Sequence, residues 1–139
     1  MRNRGSVVII RNEEAVLIKR VKNGEEYFVF PGGGIERGES PEQAAAREAY
    51  EELGVTVKIS QCLSEIDYEG KQYFFAAKII TGKLGEGKAE EFRDSSRGTY
   101  ELVWVPLEKF PEMDIRPAEA ARTINLLPTC ISNYEEIWT

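Results

Sequence analysis

Three glutamates near the middle of the chain, Glu48, Glu51 and Glu52, have the spacing of ligands for a hard metal ion. At about 100° per residue, their side chains fall within roughly 100° of one side of a helix. Glu51 and Glu52 would also lie in the last helical turn, where the helix dipole disfavours anions, so a bound cation would stabilise them. Carboxylate oxygens suit Mg²⁺ or Mn²⁺. A solvated acidic face is the alternative interpretation of the same pattern.

The predicted helix that carries these glutamates is marked at both ends. Ser40 is a suitable N-cap, Pro41 suits the first helical position, and Gln43 completes a Ser-x-x-Gln capping box. Gly54 is placed to end the helix in a left-handed conformation. We therefore predict a helix from about Pro41 to Leu53. Its apolar side would consist of Ala46, Ala49, Tyr50 and Leu53, with Ala45 at the border.

A glycine-rich segment, Pro31-Gly32-Gly33-Gly34, precedes this helix and follows a short apolar strand, Tyr27–Phe30. Without side chains, this segment can bring bare backbone close to whatever the carboxylates hold. Glycine-rich turns alone are weak evidence for a site. The combination of a glycine loop with three carboxylates on one helix face is much stronger evidence for a cation-binding site than either feature alone.

The pattern of Gly33, five residues, Glu39, seven residues and then Arg47-Glu48-Ala49-Tyr50-Glu51-Glu52-Leu53-Gly54-Val55 resembles the Nudix box, with every fixed position filled. The box covers residues 33–55, which is 23 of 139 residues. The resemblance implies a MutT-like Nudix hydrolase with an α+β fold, an α/β/α sandwich in which a mixed, curled β-sheet lies between helices. Glu39 matches the isolated glutamate of the box, for which contact with a second metal and a loop-fixing role both stay open.

The resemblance also implies an activity and a set of site residues. Nudix enzymes are Mg²⁺- or Mn²⁺-dependent pyrophosphohydrolases that cleave the diphosphate linkage of nucleoside diphosphate derivatives or nucleoside triphosphates. The implied metal ligands are the backbone carbonyl of Gly33 and the side chains of Glu48, Glu51 and Glu52. Glu48 and Glu51, with Arg47 orienting a neighbouring glutamate, are the implied catalytic residues. The small size of the chain resembles that of nucleotide-pool sanitising enzymes.

Residues outside the box are candidates for substrate binding. Arg20 ends a predicted strand near the place where Nudix enzymes put a phosphate-contacting arginine. Phe30 has an aromatic ring that can stack on a base, although aromatics in strands are more often core residues. Tyr73 lies near the tyrosine of Nudix enzymes that act on dinucleoside polyphosphates.

A second source of catalytic groups is the predicted loop from Gly82 to Gly98, because loops of this length inside a compact domain are usually functional or disordered. Glu90, Glu91 and Glu101 lie in or just after it. Related enzymes use a glutamate from this region as general base or metal ligand. A solvated charged residue is the default alternative for each.

Composition narrows the function classes. The 139 residues suggest a single domain over residues 1–139, and the absence of histidine excludes a histidine general base and a histidine-bound zinc site. A net charge of −6 argues against a nucleic-acid polymer as partner and leaves a small nucleotide as substrate. We expect a cytoplasmic protein with no membrane association, since no apolar run approaches the length of a bilayer span.

Two non-enzymatic alternatives remain open at this point: a nucleotide-sensing module, and an interaction module that keeps the same fold. The apolar tail residues Tyr134, Ile137 and Trp138 are expected to pack on the sheet or on a second subunit, so a homodimer is possible.

The segments Val21–Glu26 and Pro31–Gly34 are predicted as loops. Strands are predicted at Ser6–Arg11, Ala15–Arg20, Tyr27–Phe30, Val55–Ile66, Gln72–Thr81 and Tyr100–Val105, and a second helix between Pro117 and Pro128.

Overall fold

The computed structural model describes residues 2–84, 98–130 and 134–138, which form two β-sheets and the helices that pack on them. The strands are β1 (Arg4–Val8), β2 (Ile10–Arg11), β3 (Glu14–Lys22), β4 (Glu25–Val29), β5 (Gly32–Gly34), β6 (Val55–Asp67), β7 (Lys71–Gly82), β8 (Thr99–Pro106) and β9 (Ile115–Arg116). The helices are α1 (Pro41–Leu53), α2 (Ala118–Asn125) and α3 (Leu127–Cys130), with 3₁₀ segments at Leu107–Glu112 and Tyr134–Trp138.

The first sheet has the strand order β5-β1-β7-β6 and is mixed. Strands β1 and β7 are parallel, whereas β1 pairs antiparallel with β5 and β6 pairs antiparallel with β7. The second sheet is centred on β3, which pairs with β8 along one edge and with β2 and β4 along the other, and β9 extends it beside β4. Mixed sheets with packed helices confirm the predicted α+β fold class.

Helix α1 begins and ends where the sequence predicts. The Ser40 hydroxyl accepts a hydrogen bond from the backbone amide of Gln43, and the Gln43 side-chain oxygen accepts one from the backbone amide of Ser40. Gly54 adopts φ 77° at the C-terminus. The helix lies directly on β1, because Gly5 has no side chain and a Cβ there would meet the carbonyl oxygen of Pro41 at 2.5 Å. The packing of α1 buries Ala45, Ala49 and Leu53 in a cluster that includes side chains from both sheets.

A second core forms on the other side of the sheets. Residues of α2 and the 3₁₀ segment Leu107–Glu112 pack on Phe30, Phe74 and Leu17. Trp138 packs against this core and donates a 2.8 Å hydrogen bond from Nε1 to the carbonyl of Val8, which confirms that this tail residue packs on the fold.

Several local predictions were wrong. The first predicted strand divides into β1 and β2, which belong to different sheets. The predicted loop at Val21–Glu26 is a hairpin whose two-residue turn, Asn23-Gly24, has positive φ at both positions (52° and 78°) and continues the strands on either side. Tyr50, placed on the apolar face of the helix, is 65% exposed.

Two further segments differ because tertiary pairing decides them. Gly32–Gly34, predicted as loop, is the edge strand β5, since its backbone pairs with β1. Pro128, expected to end the second helix, lies inside α3, while α2 already ends at Asn125. In the described part of the chain, no helix has the length and apolar character needed to cross a bilayer.

Candidate active site

Arg47 is the centre of the site. Its guanidinium binds Glu39 at both carboxylate oxygens, with Nε 2.6 Å from Oε2 and a terminal nitrogen 3.1 Å from Oε1. Another terminal nitrogen lies 3.0 Å from Glu48 Oε1 and 3.3 Å from Glu51 Oε2. The guanidinium also donates to the carbonyl of Gly34 at 3.0 Å. One planar cation therefore fixes three carboxylates and the glycine strand relative to α1.

Glu39 fixes the segment between β5 and α1. Besides binding Arg47, its Oε1 accepts a 2.9 Å hydrogen bond from the Glu36 amide. The hydrogen bonds from Arg47 and Glu36 lower the pKa of Glu39 to about 2, so this carboxylate is ionised at neutral pH. Both carboxylate oxygens are engaged in the described structure. This geometry favours the loop-fixing role of the two that the sequence left open.

Gly33 lies against the carboxylate of Glu48. A Cβ at position 33 would occupy the space of the Glu48 carboxyl group, so only glycine allows this approach. The Glu48 side chain is 16% exposed, whereas that of Glu51, one turn further along the helix, is 51% exposed. Helix α1 therefore presents one enclosed and one open carboxylate beside the glycine strand.

Glu52 contacts the same strand at the neighbouring residue, Gly32. Its Oε1 accepts a 2.8 Å hydrogen bond from the Gly32 amide, and most of the side chain is buried. Burial, together with the negative charge of Glu48, raises the pKa of Glu52 to about 8 despite that hydrogen bond and the nearby Arg4. A buried carboxylate with a raised pKa is a group that a cation would stabilise.

The donor set fits a hard divalent ion. Glu48, Glu51 and Glu52 offer carboxylate oxygens on one side of α1, and the backbone of Gly33 is in contact with one of them. Among the described residues, no three His, Cys, Asp or Glu side chains lie close enough together to hold a metal ion as they stand. Arg47 binds two of the three glutamates, and the third binds Gly32.

A cleft of about 470 Å³ opens next to these carboxylates, between the two sheets. Its floor comes from neighbouring positions of β1 and β7, where Arg4 pairs with Gln72 and Ser6 pairs with Phe74. Arg4 donates a 3.2 Å hydrogen bond to the carbonyl of Gly32, whose amide binds Glu52. The cleft and the carboxylates thus share Gly32 as a common contact.

The opposite wall of the cleft carries cations stacked on aromatic rings. Arg20 lies 4.0 Å from the ring centroid of Tyr100 and 5.9 Å from that of Tyr27, and Arg116 lies 4.1 Å from the same Tyr27 ring. Arg20, Tyr27 and Arg116 line the cleft. With Arg4, three arginines line this cavity, but Asp114 and Glu25 pair with Arg116, and Glu69 also belongs to the lining. Arg4 and Arg20 are therefore the cations that suit the cleft to a ligand with an anionic part.

The structure brings some of the predicted substrate-binding residues to the cleft. Arg20 lines it, and Phe30 forms part of its lining while being 3% exposed, with its ring packed edge-on against Phe74 and Phe110. Tyr73 lies instead with the residues that face α1, stacked 6.2 Å from Phe75, because it alternates with the cleft residues Gln72 and Phe74 along β7.

Glu101, one of the predicted second-loop glutamates, is not part of the site. Glu101 is on β8, where its register partner is Lys19, and the two side chains are 3.8 Å apart on an exposed surface. Glu90 and Glu91 lie outside the described residues.

Sequence reasoning missed most of the cleft lining, including the polar residues Arg4, Tyr27, Gln72 and Arg116. One of them was accessible from the sequence. The Asn23-Gly24 dipeptide is a strong signal for a two-residue hairpin, and that turn sets Arg20 opposite Tyr27. Gln72 and Arg116 lie far away in sequence, and no local pattern places them in the cavity.

Comparisons with known proteins agree with this architecture. A family model described as the NUDIX domain matches residues 1–127. The chain is 33% identical over 102 residues to a putative mutator protein MutT4 of Mycobacterium tuberculosis, covering 70% of this chain and 40% of the relative. It is 41% identical over 68 residues to an 8-oxo-dGTP diphosphatase of Escherichia coli, covering 46% of this chain and 53% of the relative. The chain thus spans about half or less of the length of these relatives.

Among solved structures, a MutT NUDIX hydrolase from Burkholderia pseudomallei superposes with a TM-score of 0.69 at 23% identity. The match covers 88% of this chain and 97% of that one. At this level of identity, the likeness concerns the fold.

Proposed function

Because this chain belongs to the Nudix family, as the match over residues 1–127 shows, we propose that it hydrolyses a phosphoric anhydride bond in a nucleotide. The substrate class is a nucleoside diphosphate derivative or a nucleoside triphosphate. One relative of the chain is an 8-oxo-dGTP diphosphatase, so modified nucleoside triphosphates are the first substrates to test. Their cleavage would correspond to a nucleotide-pool sanitising role.

The observation that carries this proposal is the junction at Gly32. Its amide binds Glu52, and its carbonyl binds Arg4 of the cleft. A ligand whose diphosphate lies at the carboxylates would thus have its remaining part next to Arg4 and the arginine-lined cavity. A diphosphate joined to a nucleoside has this combination of a polyanionic end and a flat organic end.

Glu48, Glu51, Glu52 and the carbonyl of Gly33 are the groups that would hold Mg²⁺ or Mn²⁺. Such an ion supplies positive charge for the diphosphate oxygens and makes nearby water more acidic. Arg47 positions Glu48 and Glu51 through its hydrogen bonds at 3.0 and 3.3 Å, and Glu39 in turn holds Arg47. Of the two held glutamates, Glu51 is the more exposed, so we assign it acceptance of the proton from the attacking water.

The test is a screen for release of phosphate and pyrophosphate from nucleoside triphosphates, oxidised triphosphates, nucleoside diphosphate sugars and dinucleoside polyphosphates, with and without Mg²⁺. The wild-type chain should cleave at least one class, and Glu52→Gln should lower the rate about a hundredfold or more. Glu42→Gln is the matched control, because Glu42 is an exposed glutamate of the first turn of α1. Binding of nucleotides without any Mg²⁺-dependent cleavage would contradict hydrolysis and support the sensing module instead.

A further inference from the structure

The cation–aromatic wall of the cleft is a continuous row across the second sheet. Tyr100 of β8 and Tyr27 of β4 are both register partners of Arg20 on β3, and Arg116 of β9 lies diagonally beside Tyr27. The guanidinium-to-ring distances are 4.0, 5.9 and 4.1 Å along the row. The end of this row that reaches β9 consists of Tyr27 and Arg116, which we call the Tyr27–Arg116 stack.

Arg116 in this stack is not equipped to bind a phosphate. Its Nε lies 3.1 Å from Asp114 Oδ1, and a terminal nitrogen lies 2.9 Å from Asp114 Oδ2 and 3.3 Å from Glu25 Oε2. Two carboxylates therefore balance its charge, and the Arg116 side chain lowers the pKa of Asp114. With its edges bound in this way, the guanidinium offers mainly its flat faces, one of which lies over the Tyr27 ring.

The opposite side of the cleft provides a fixed polar group. The Gln72 side chain is 7% exposed, and its Nε2 donates a 2.8 Å hydrogen bond to the carbonyl of Tyr68. This bond determines the orientation of the amide. A cleft with a flat stack on one wall and an oriented amide on its floor is suited to a heteroaromatic ring, whose faces stack while its edge forms hydrogen bonds.

We propose that the Tyr27–Arg116 stack is the nucleobase seat of this cleft and that Gln72 contacts the edge of the base. This assignment rests on the proposed function for the diphosphate end of the ligand. Asp114 and Glu25 are positioning residues, because their hydrogen bonds hold the Arg116 guanidinium over the Tyr27 ring. Arg4 and Arg20 are the other cations that line the cleft and would lie near the anionic part of the ligand.

The test measures binding of AMP, GMP, CMP and UMP by titration calorimetry, with ribose 5-phosphate as the probe that lacks a base. The wild-type chain should bind at least one of the four nucleotides about tenfold or more tightly than ribose 5-phosphate. Tyr27→Leu should remove this difference and leave the affinity for ribose 5-phosphate unchanged. Tyr27→Phe is the matched control that keeps the ring and should keep the difference.

A second variant separates stacking from structural support. Arg116→Lys keeps the charge and loses the planar face, so it should reduce the affinity for the nucleotide more than that for ribose 5-phosphate. An equal loss for both ligands in the two variants would mean that the stack only supports the fold, and would overturn the proposal. Absence of any preference for a base-bearing ligand in the wild-type chain would overturn it as well.

The outcome is distinct from that of the hydrolysis screen. Base-dependent binding that Tyr27→Leu abolishes, in a chain that cleaves nothing, would support the base seat while contradicting hydrolysis. Mg²⁺-dependent cleavage whose kcat/KM is the same in Tyr27→Leu and Tyr27→Phe would overturn the base seat while supporting hydrolysis.

Discussion

The Gly32 amide donates a 2.8 Å hydrogen bond to Oε1 of Glu52, joining the last turn of α1 to the glycine strand β5. This bond offsets only part of the free-energy cost of burying an ionised carboxylate, because burial and the charge of Glu48 still raise the pKa of Glu52 to about 8. The last turn of α1 thus carries a carboxyl group that prefers to be neutral in the metal-free protein. The bond also connects the carboxylate-bearing face of α1 to Gly32, whose carbonyl binds Arg4 of the cleft.

The raised pKa predicts how the stability of the metal-free protein depends on pH. The folded chain keeps a proton on Glu52 up to about pH 8, whereas the ordinary value is 4.5, so the folded state binds the extra proton between these limits. The free energy of unfolding should therefore fall as pH rises from about 4.5 to 8, and the melting temperature should fall by several degrees. Glu52→Gln should flatten this slope, and Mg²⁺ should reduce it in the wild-type chain by favouring the ionised carboxylate. The same slope in Glu52→Gln would assign the effect to another group.

Arg47→Lys tests the central position of the guanidinium. Lysine keeps the charge but cannot bind both oxygens of Glu39 while also reaching Glu48 and the Gly34 carbonyl. We expect kcat to fall about ten- to a hundredfold with a smaller change in KM, as for other residues that orient ligands. Arg37→Lys, at an exposed arginine of the loop before α1, is the control and should keep wild-type kinetics. Equal activity of the two variants would remove Arg47 from the positioning role.

Gly33→Ala tests the contact between the glycine strand and Glu48. Gly33 is not among the positive-φ residues, so its backbone accepts alanine, but the added Cβ would displace the Glu48 carboxyl group. The variant should fold and should lose most of the Mg²⁺-dependent rise in melting temperature along with its activity. Thermal melting with and without Mg²⁺ measures this directly. If Mg²⁺ raised the melting temperature of Gly33→Ala as much as that of the wild type, Mg²⁺ binding would not require the Glu48 carboxylate to lie beside Gly33.

Gly54→Val tests how α1 ends. Gly54 has φ 77°, a left-handed conformation that a β-branched residue adopts only with strain. We expect a loss of about 1–2 kcal/mol in the free energy of unfolding, and a smaller loss for Gly54→Asn, because asparagine tolerates this conformation. Chemical denaturation of the three proteins provides the comparison. Equal losses in both variants would mean that the space around Gly54, and not its φ, sets the preference.

Local chemistry in the sequence determined the helix at the centre of this protein. Ser40 and Gln43 satisfy each other's backbone amides at the start of α1, Pro41 has no N–H that needs a partner, and Gly54 takes the left-handed conformation that ends the helix. The bounds of α1 therefore follow from neighbouring residues. The same fixed spacing placed Glu48, Glu51 and Glu52 on one side of α1 and set Arg47 within reach of Glu51. Because a helix has a regular period, these relations do not depend on the rest of the fold.

Only the tertiary structure decided what surrounds that helix. Gly32–Gly34 is a strand because β1 supplies hydrogen-bonding partners from elsewhere in the chain, and Tyr50 is exposed because the sheets cover a different part of the helix surface. The cleft likewise requires Arg4, Gln72 and Arg116 to meet, and they come from strands of both sheets. Such contacts depend on the order in which strands pair, and the period of a single strand shows which of its residues share a face but not which strand lies beside it.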